Sequence, residues 1–313
     1  MVDFQRSPLA PSKFPLMPTI SGLGAFTASA NIKHPDREDL LLIEFEKGAA
    51  ISGVFTQSLT AAAPVSWSRA ITERGYARAL LVNSGNANAF TGVKGQLDVE
   101  ACANAAAELI GCRADELLIA STGVIGERLP VQRITSTIAG MKDQERVSSW
   151  EQAALAIGTT DTYPKGAACE TEIDGVPVKI VGITKGSGMI APNMATMLGF
   201  VFTDACISPR SLQSILNSGV SKTFNCITVD SDTSTSDMVL LAATGRAGNA
   251  IPASPRDRSL NSFRKSLYKV LEDLAVQVVR DGEGAKKLIT IEVRGARSGL
   301  SAHKLLWLLL THH

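Results

Sequence analysis

Short apolar runs, each closed by glycine or polar turn residues, recur along this 313-residue chain. Runs of that length with this turn punctuation read as strands. LLLIEFEKGAAISGVFT (40–56) reads as two strands around Lys47-Gly48, ARALLVN (77–83) as one, and LLIAS (117–121) as a short buried one. EIDGVPVKIVGIT (172–184) reads as a hairpin, because Asp174-Gly175 supplies the positive φ values of a tight primed turn. MLGFVFTDA (197–205), MVLLAATG (238–245) and KKLITIEV (286–293) complete the set.

Helical periods lie between these runs. Val99, Cys102, Ala103, Ala106, Leu109 and Ile110 share one face of 96–110, and Gly111 stands where a helix-ending glycine belongs. Pro130 opens another helix. Ser208-Pro209 makes an N-cap pair ahead of Leu212, Ile215, Leu216 and Val220. The best amphipathic stripe runs over 259–280, through Leu260, Phe263, Leu267, Val270, Leu271, Leu274 and Val278, and stops at Asp281-Gly282. Strands and helices follow in mixed order, without repeat or regular βαβ alternation. The class is therefore α+β, a layered α/β arrangement with mixed sheets between helices.

Thirty-one basic residues against thirty acidic ones give no field for nucleic acid or an anionic membrane. Aromatic residues are few, which weakens a base-stacking surface further. The five cysteines form no CxxC, so neither a disulfide framework nor a zinc site is indicated and a reducing, cytoplasmic compartment is expected. No signal peptide is expected at the proline-broken N-terminus. The longest uncharged apolar run, LLWLLL (305–310), falls far short of the roughly 20 residues of a membrane helix. The histidines are His34, His303, His312 and His313, so a histidine-centred site in the main body is not expected.

KGSGMIAPNMATMLGF (185–200) separates two of the strand-like runs and holds neither histidine nor carboxylate. GSGM at 186–189 lacks the lysine and hydroxyl end of a P-loop. A threonine becomes a nucleophile when something takes its proton, and its own α-amine can do so once it is a chain terminus. For Thr196 that requires a cut after Ala195, made by attack of the hydroxyl on the preceding carbonyl. Gly186, Gly188 and Ala195 let the backbone bend for it. From the residues alone the signal is weak, and Thr196 reads first as a structural threonine ahead of a strand.

KGSGMIAPNMATML resembles the processing site of the ornithine acetyltransferase (glutamate N-acetyltransferase) family. AAISGVFTQSLTAAAPV (49–65), LVNSGNANAFTG (81–92), STGVIGERLP (121–130), FNCITVDSDTSTSD (224–237) and DGEGAKKLITIEV (281–293) resemble other segments of that family, in the same order. The resemblance spans roughly 20–300. It implies a self-processing enzyme with an N-terminal threonine nucleophile, cut between Ala195 and Thr196 into an alpha chain, 1–195, and a beta chain, 196–313. It implies acetyl transfer from N-acetylornithine to glutamate through acetyl-Thr196, in arginine biosynthesis. Acetyl-CoA enters as an optional second donor, with no other cofactor and no metal. The two pieces would stay together as a heterotetramer of two of each, without nucleic-acid or membrane partners.

The resemblance also assigns roles. Thr122 and Gly123 match an oxyanion-stabilising pair; alone they read sooner as an ordinary turn. Lys185, Thr159 and Glu283 match substrate-binding residues; alone they are a solvated lysine, a loop hydroxyl and an exposed turn carboxylate. Asn83, Asn86 and Asn88 read as turn formers, and Asp230 with Asp232 as a buried capping network in preference to a metal pair. Ser231, Ser236 and Lys286 depart mildly from the family's pattern. The family continues past this point to further substrate-binding Asn and Thr residues, so a shortened chain is expected. LLWLLLTHH (305–313) reads as out of frame, since one codon choice shifted by a base yields Ile-Ala-Leu-Ala-Ile-Ala-Asn-Ser-Pro. Two other functions stay open: an N-terminal-nucleophile amidase using water as acceptor, and an inactive shortened product.

Overall fold

The structure, a computed structural model, describes residues 5–35, 37–141, 149–190, 197–232 and 234–311. Its strands are β1 (Leu23–Ala28), β2 (Leu40–Phe55), β3 (Tyr76–Asn86), β4 (Leu117–Val124), β5 (Lys165–Ile173), β6 (Val176–Lys185), β7 (Leu198–Thr203) and β8 (Met238–Ala243). They join in the order β4-β3-β2-β8-β7-β6-β5, with β1 also on β2. The pairs are antiparallel except β3–β4 and β7–β8, which are parallel.

β2 decides the architecture. Its first half pairs with β1 and β3, and its second half with β8. The register against β3 slips between Glu44 and Ala49. Gly48 takes φ +81, and a Cβ there would lie 2.1–2.3 Å from the Tyr76 ring and hydroxyl. The Lys47-Gly48 pair thus makes a bulge that bends one strand, where the sequence suggests two strands about a turn. The two halves of the sheet consequently face each other. Ile43, Leu80 and Leu118 share a core with Val181, Phe200 and Leu240, and the Phe45 and Phe202 rings sit 6.3 Å apart.

Helices cover the outside. α2 (Gly92–Ile110) and α3 (Val131–Gly140) pack on the β1–β4 half, while α5 (Pro209–Val220) and α6 (Asn261–Arg280) pack on the β5–β8 half. α4 (Trp150–Ile157) contributes Ala153 and Ile157 to the inner core. α1 (Ala63–Arg74) blunts the free edge of β4. Its Ser68 hydroxyl donates to Ile119 O and accepts from Ile119 N–H, and Trp67 Nε1 donates to Leu117 O. An edge strand so occupied offers no template to another chain.

The hairpin turn is present, with Asp174 at φ 49 and Gly175 at φ 75, and the Ser208 hydroxyl caps α5 by accepting Ser211 N–H. Residues 286–293 are not a strand: the alternation is there, but no sheet edge pairs with it, and Leu288 and Ile289 stay exposed. An isolated β pattern has no stability without a partner. α7 (Gly299–Thr311) follows. None of the described helices is long and apolar enough to cross a membrane.

Candidate active site

β6 delivers Lys185 to its C-terminal end, where it pairs in register with Leu198 of β7. The Lys185 side chain is buried, with Nζ 3.9 Å from Asp161 Oδ2. Burial pushes its pKa down, with the Asp161 charge opposing and Lys165 reinforcing the shift. Asp161 itself came from no sequence signal, yet it organises the corner. Oδ1 accepts the Gly186 N–H at 2.7 Å and the Lys165 ammonium at 2.5 Å, and Oδ2 accepts the Thr159 N–H at 3.0 Å. Burial alone would raise the Asp161 pKa, but Lys165, Lys185 and the Gly186 N–H outweigh it and hold the carboxylate well below its ordinary range.

Lys165 continues the network inward, donating to Asp281 Oδ2 at 2.6 Å. Asp281 also accepts the Thr162 N–H at 2.9 Å and the Thr162 hydroxyl. Past Asp281 the chain turns back over Gly188. Glu283 N–H donates to Ser187 O at 2.8 Å, and a Cβ on Gly188 would sit 2.8 Å from the Glu283 carboxyl carbon. Ser187 and Thr160 close the group through their hydroxyls, 2.6 Å apart. Thr159, Lys185 and Glu283 are therefore brought to one corner. Glu283 is exposed there and Lys185 is not, so the solvated lysine that the residue alone allowed does not occur.

Thr122 and Gly123 end β4 beside Gly85 and Asn86 of β3. Gly123, at φ +129, lies so close that a Cβ would come within 2.3 Å of the Gly85 carbonyl carbon; only glycine fits. Ser84, the register partner of Thr122, donates to Ala156 O at 2.8 Å in the last turn of α4. Thr159 and Asp161 follow directly, so the β4 end is tied to the same corner through α4. The nearby asparagines are structural. Asn83 bridges Ser121 and Asn86 O, Asn86 holds Glu127 O, Arg128 O and the Asn88 N–H, and Asn88 holds Gly95 O.

Asp230 caps Met189 N–H and Ile190 N–H across the site's far side. It does so while exposed, as is Asp232, because charged acceptors for a loop need no burial; the expected capping is present without the expected burial. Asp237, also unmarked by the sequence reading, is fully buried at the head of β8, where Oδ1 accepts the Met197 N–H at 2.9 Å. A charged residue set directly against an apolar strand start is the signal that could have found it, as for Lys165 ahead of Gly-Ala-Ala. Ala195 and Thr196 lie outside the described residues.

A bent mixed sheet folded on itself between helices, with a polar corner at the head of β7, defines a layered α+β fold. The L-aminopeptidase D-Ala-esterase/amidase from Ochrobactrum anthropi, described as a new variant of the Ntn hydrolase fold, matches it at TM-score 0.51 over 88% of this chain and 90% of that one. At 11% identity that likeness concerns the fold alone.

The chain belongs to the ArgJ family of arginine-biosynthesis enzymes, whose model matches residues 24–307. The arginine biosynthesis bifunctional protein ArgJ of Agrobacterium fabrum (strain C58) is 52% identical over 302 residues, 96% of this chain and 73% of that protein. The crystal structure of ornithine acetyltransferase from Mycobacterium tuberculosis, complexed with ornithine, is 34% identical with TM-score 0.51, covering 60% of this chain and 95% of that one.

Proposed function

We propose that this chain cuts itself between Ala195 and Thr196 and then transfers acetyl groups from N-acetylornithine to glutamate through acetyl-Thr196. The observation that carries this reading is the convergence of Thr159, Lys185 and Glu283, through Asp161 and Ser187, beside the strand that Met197 leads into. The ornithine-bound relative supports an amino-acid substrate of that class. Its chain, matched over 95% of its length by 60% of this one, is about as long as the piece ending at Ala195.

In the cut form the free amine of Thr196, with a reference pKa of about 7.7–8.0, takes the hydroxyl proton as Oγ bonds to the acetyl carbon. Thr122 and the Gly123 N–H receive the developing oxyanion. Ornithine leaves with the proton, and the glutamate amine then takes the acetyl group. Lys185 holds a substrate carboxylate and Glu283 an amine. Acetyl-CoA serves as a second donor, and the 1–195 and 196–313 pieces remain together, two of each, in the cytoplasm.

Intact-mass analysis tests both steps. The chain is expected as 195- and 118-residue pieces, with Thr196→Ala left whole. N-acetylornithine without glutamate should add one acetyl group to the shorter piece. Cutting of Thr196→Ala at the same bond removes the self-cleavage, and an unacetylated piece removes the covalent intermediate.

A further inference from the structure

The two amino acids of the proposed exchange differ at one end. Ornithine and glutamate share an α-carboxylate, the group given to Lys185. Their side chains end in opposite charges, an ammonium on one and a carboxylate on the other. Glu283 suits the ammonium and repels the carboxylate. A site that takes both in turn needs a second cation, because a carboxylate brought into a partly buried corner without a partner costs affinity.

The cations near the corner narrow to one. Lys165 is spent on Asp161 and Asp281. Lys286 and Lys287 stand exposed past the turn that Ala285 N–H closes on Gly282 O, where an ion pair is worth little. Arg37 is half-buried. Its Nη1 donates to Thr159 O at 3.2 Å, and its Nη2 donates to Leu155 O at 3.4 Å and to Gly158 O. A Cβ on Gly158 would lie 3.3 Å from Arg37 Nη2 and 3.6 Å from the Asp161 Cβ, so the guanidinium borders the turn that carries Asp161.

Capping the end of α4 accounts for those three bonds, and the negative end of a helix favours a cation. A guanidinium has five N–H donors, so the Nε hydrogen and one Nη1 hydrogen are left over. All three acceptors are neutral carbonyls, and among the described residues no carboxylate pairs with Arg37. Its charge is felt at Lys185, whose pKa it helps to lower. Lys185 Nζ lies 3.9 Å from Asp161 Oδ2, so two cations flank one carboxylate. The carboxyl carbons of extended glutamate are roughly 5 Å apart, and a charge-assisted bond adds about 2.8 Å at each end. One dicarboxylate thus spans a pair of cations set on either side of such a group.

We propose that Arg37 receives the side-chain carboxylate of the acceptor amino acid and so selects glutamate, a role that rests on the acetyl-exchange reading above. Ornithine places its ammonium at Glu283 instead and has no use for Arg37. One residue then serves the acceptor half of the exchange and not the donor half.

Equilibrium dialysis of the full chain with labelled glutamate, glutamine and ornithine tests this. Glutamine has the shape of glutamate without the side-chain charge. The ratio of their affinities therefore reads the contact itself, and a merely structural loss leaves it unmoved. The parent is expected to favour glutamate by about 10-fold or more, the worth of one hydrogen bond to a charged group. Arg37→Gln keeps N–H donors for the α4 carbonyls and removes the charge. It should bring the ratio within about 2-fold of unity, while ornithine affinity changes by less than about 3-fold. Arg37→Met, a second uncharged variant, should do the same, and Arg37→Lys should keep a preference for glutamate. A ratio near unity in the parent, or the parent's ratio in an uncharged variant, overturns the inference. So does loss of all three ligands together, or failure of both uncharged variants to fold, either of which makes Arg37 a structural cap. If the parent binds neither ornithine nor glutamate, the substrate reading is what fails.

Discussion

Lys165 Nζ donates to Asp281 Oδ2 across 2.6 Å, and neither side chain reaches solvent. The two residues are 116 positions apart and lie on opposite sides of the Ala195–Thr196 bond. A second carboxylate, Asp161, sits 2.5 Å from the same ammonium. Removing the ammonium that both carboxylates share leaves the buried Asp281 charge without its ion-pair partner, at about 3–5 kcal/mol. Lys165→Met is therefore expected to lower the urea-unfolding free energy of the full chain by about that amount. An unchanged unfolding midpoint would show that the pair does not hold the two parts together.

Asp161 carries a pH signature. Its carboxyl is held below the ordinary range by Lys165 and Lys185 against the pull of burial. A depressed folded-state pKa contributes stability that is complete above the unfolded aspartate value, about 3.9, and is lost as pH falls through the folded value. The thermal midpoint should fall on acidification below about pH 4, and Asp161→Asn should show a smaller fall over the same window. At neutral pH the same variant should loosen Lys185, Thr159 and Gly186 together and raise KM for the amino-acid substrate. An acid limb as steep in the variant as in the parent would assign the effect to other carboxylates.

Gly188 tests the reach of Glu283. A Cβ there would lie 2.8 Å from the carboxyl carbon and Oε1 of Glu283. That contact is with the far end of an exposed side chain, which can swing away. Gly188→Ala is expected to change stability by less than about 0.5 kcal/mol while raising KM for the amine-bearing substrate severalfold. Unchanged steady-state kinetics would remove Glu283 from the substrate site.

Local chemistry made much of this fold legible. Gly111 ends α2 in the left-handed conformation, Asp174-Gly175 turns the β5–β6 hairpin, and Ser208-Pro209 starts α5. Each depends on neighbours within a few positions. The bend in β2 was legible only as an interruption, because its outcome depends on β8, nearly 200 residues later. The alternation in 286–293 was genuine and misleading, since a strand needs an edge to join. The site divided in the same way. Thr159, Lys185 and Glu283 could be named through motifs, whereas Asp161, Lys165 and Asp237 matter because tertiary packing buries their charges, and burial is not written in a residue's own letter.

The sheet order also sets a timetable. β7 and β8 both come after Thr196, and they lie between β2 and β6, which both come before it. Neither portion has a finished sheet of its own: the earlier one would show bare backbone along β2 and β6, and the later one along both sides of a two-stranded ribbon. The proposed break at Thr196 would thus be a late event in the life of the molecule, made inside a fold already assembled. Portions synthesised as separate polypeptides would have to find each other while still unfinished, with open edges that other strands can occupy first.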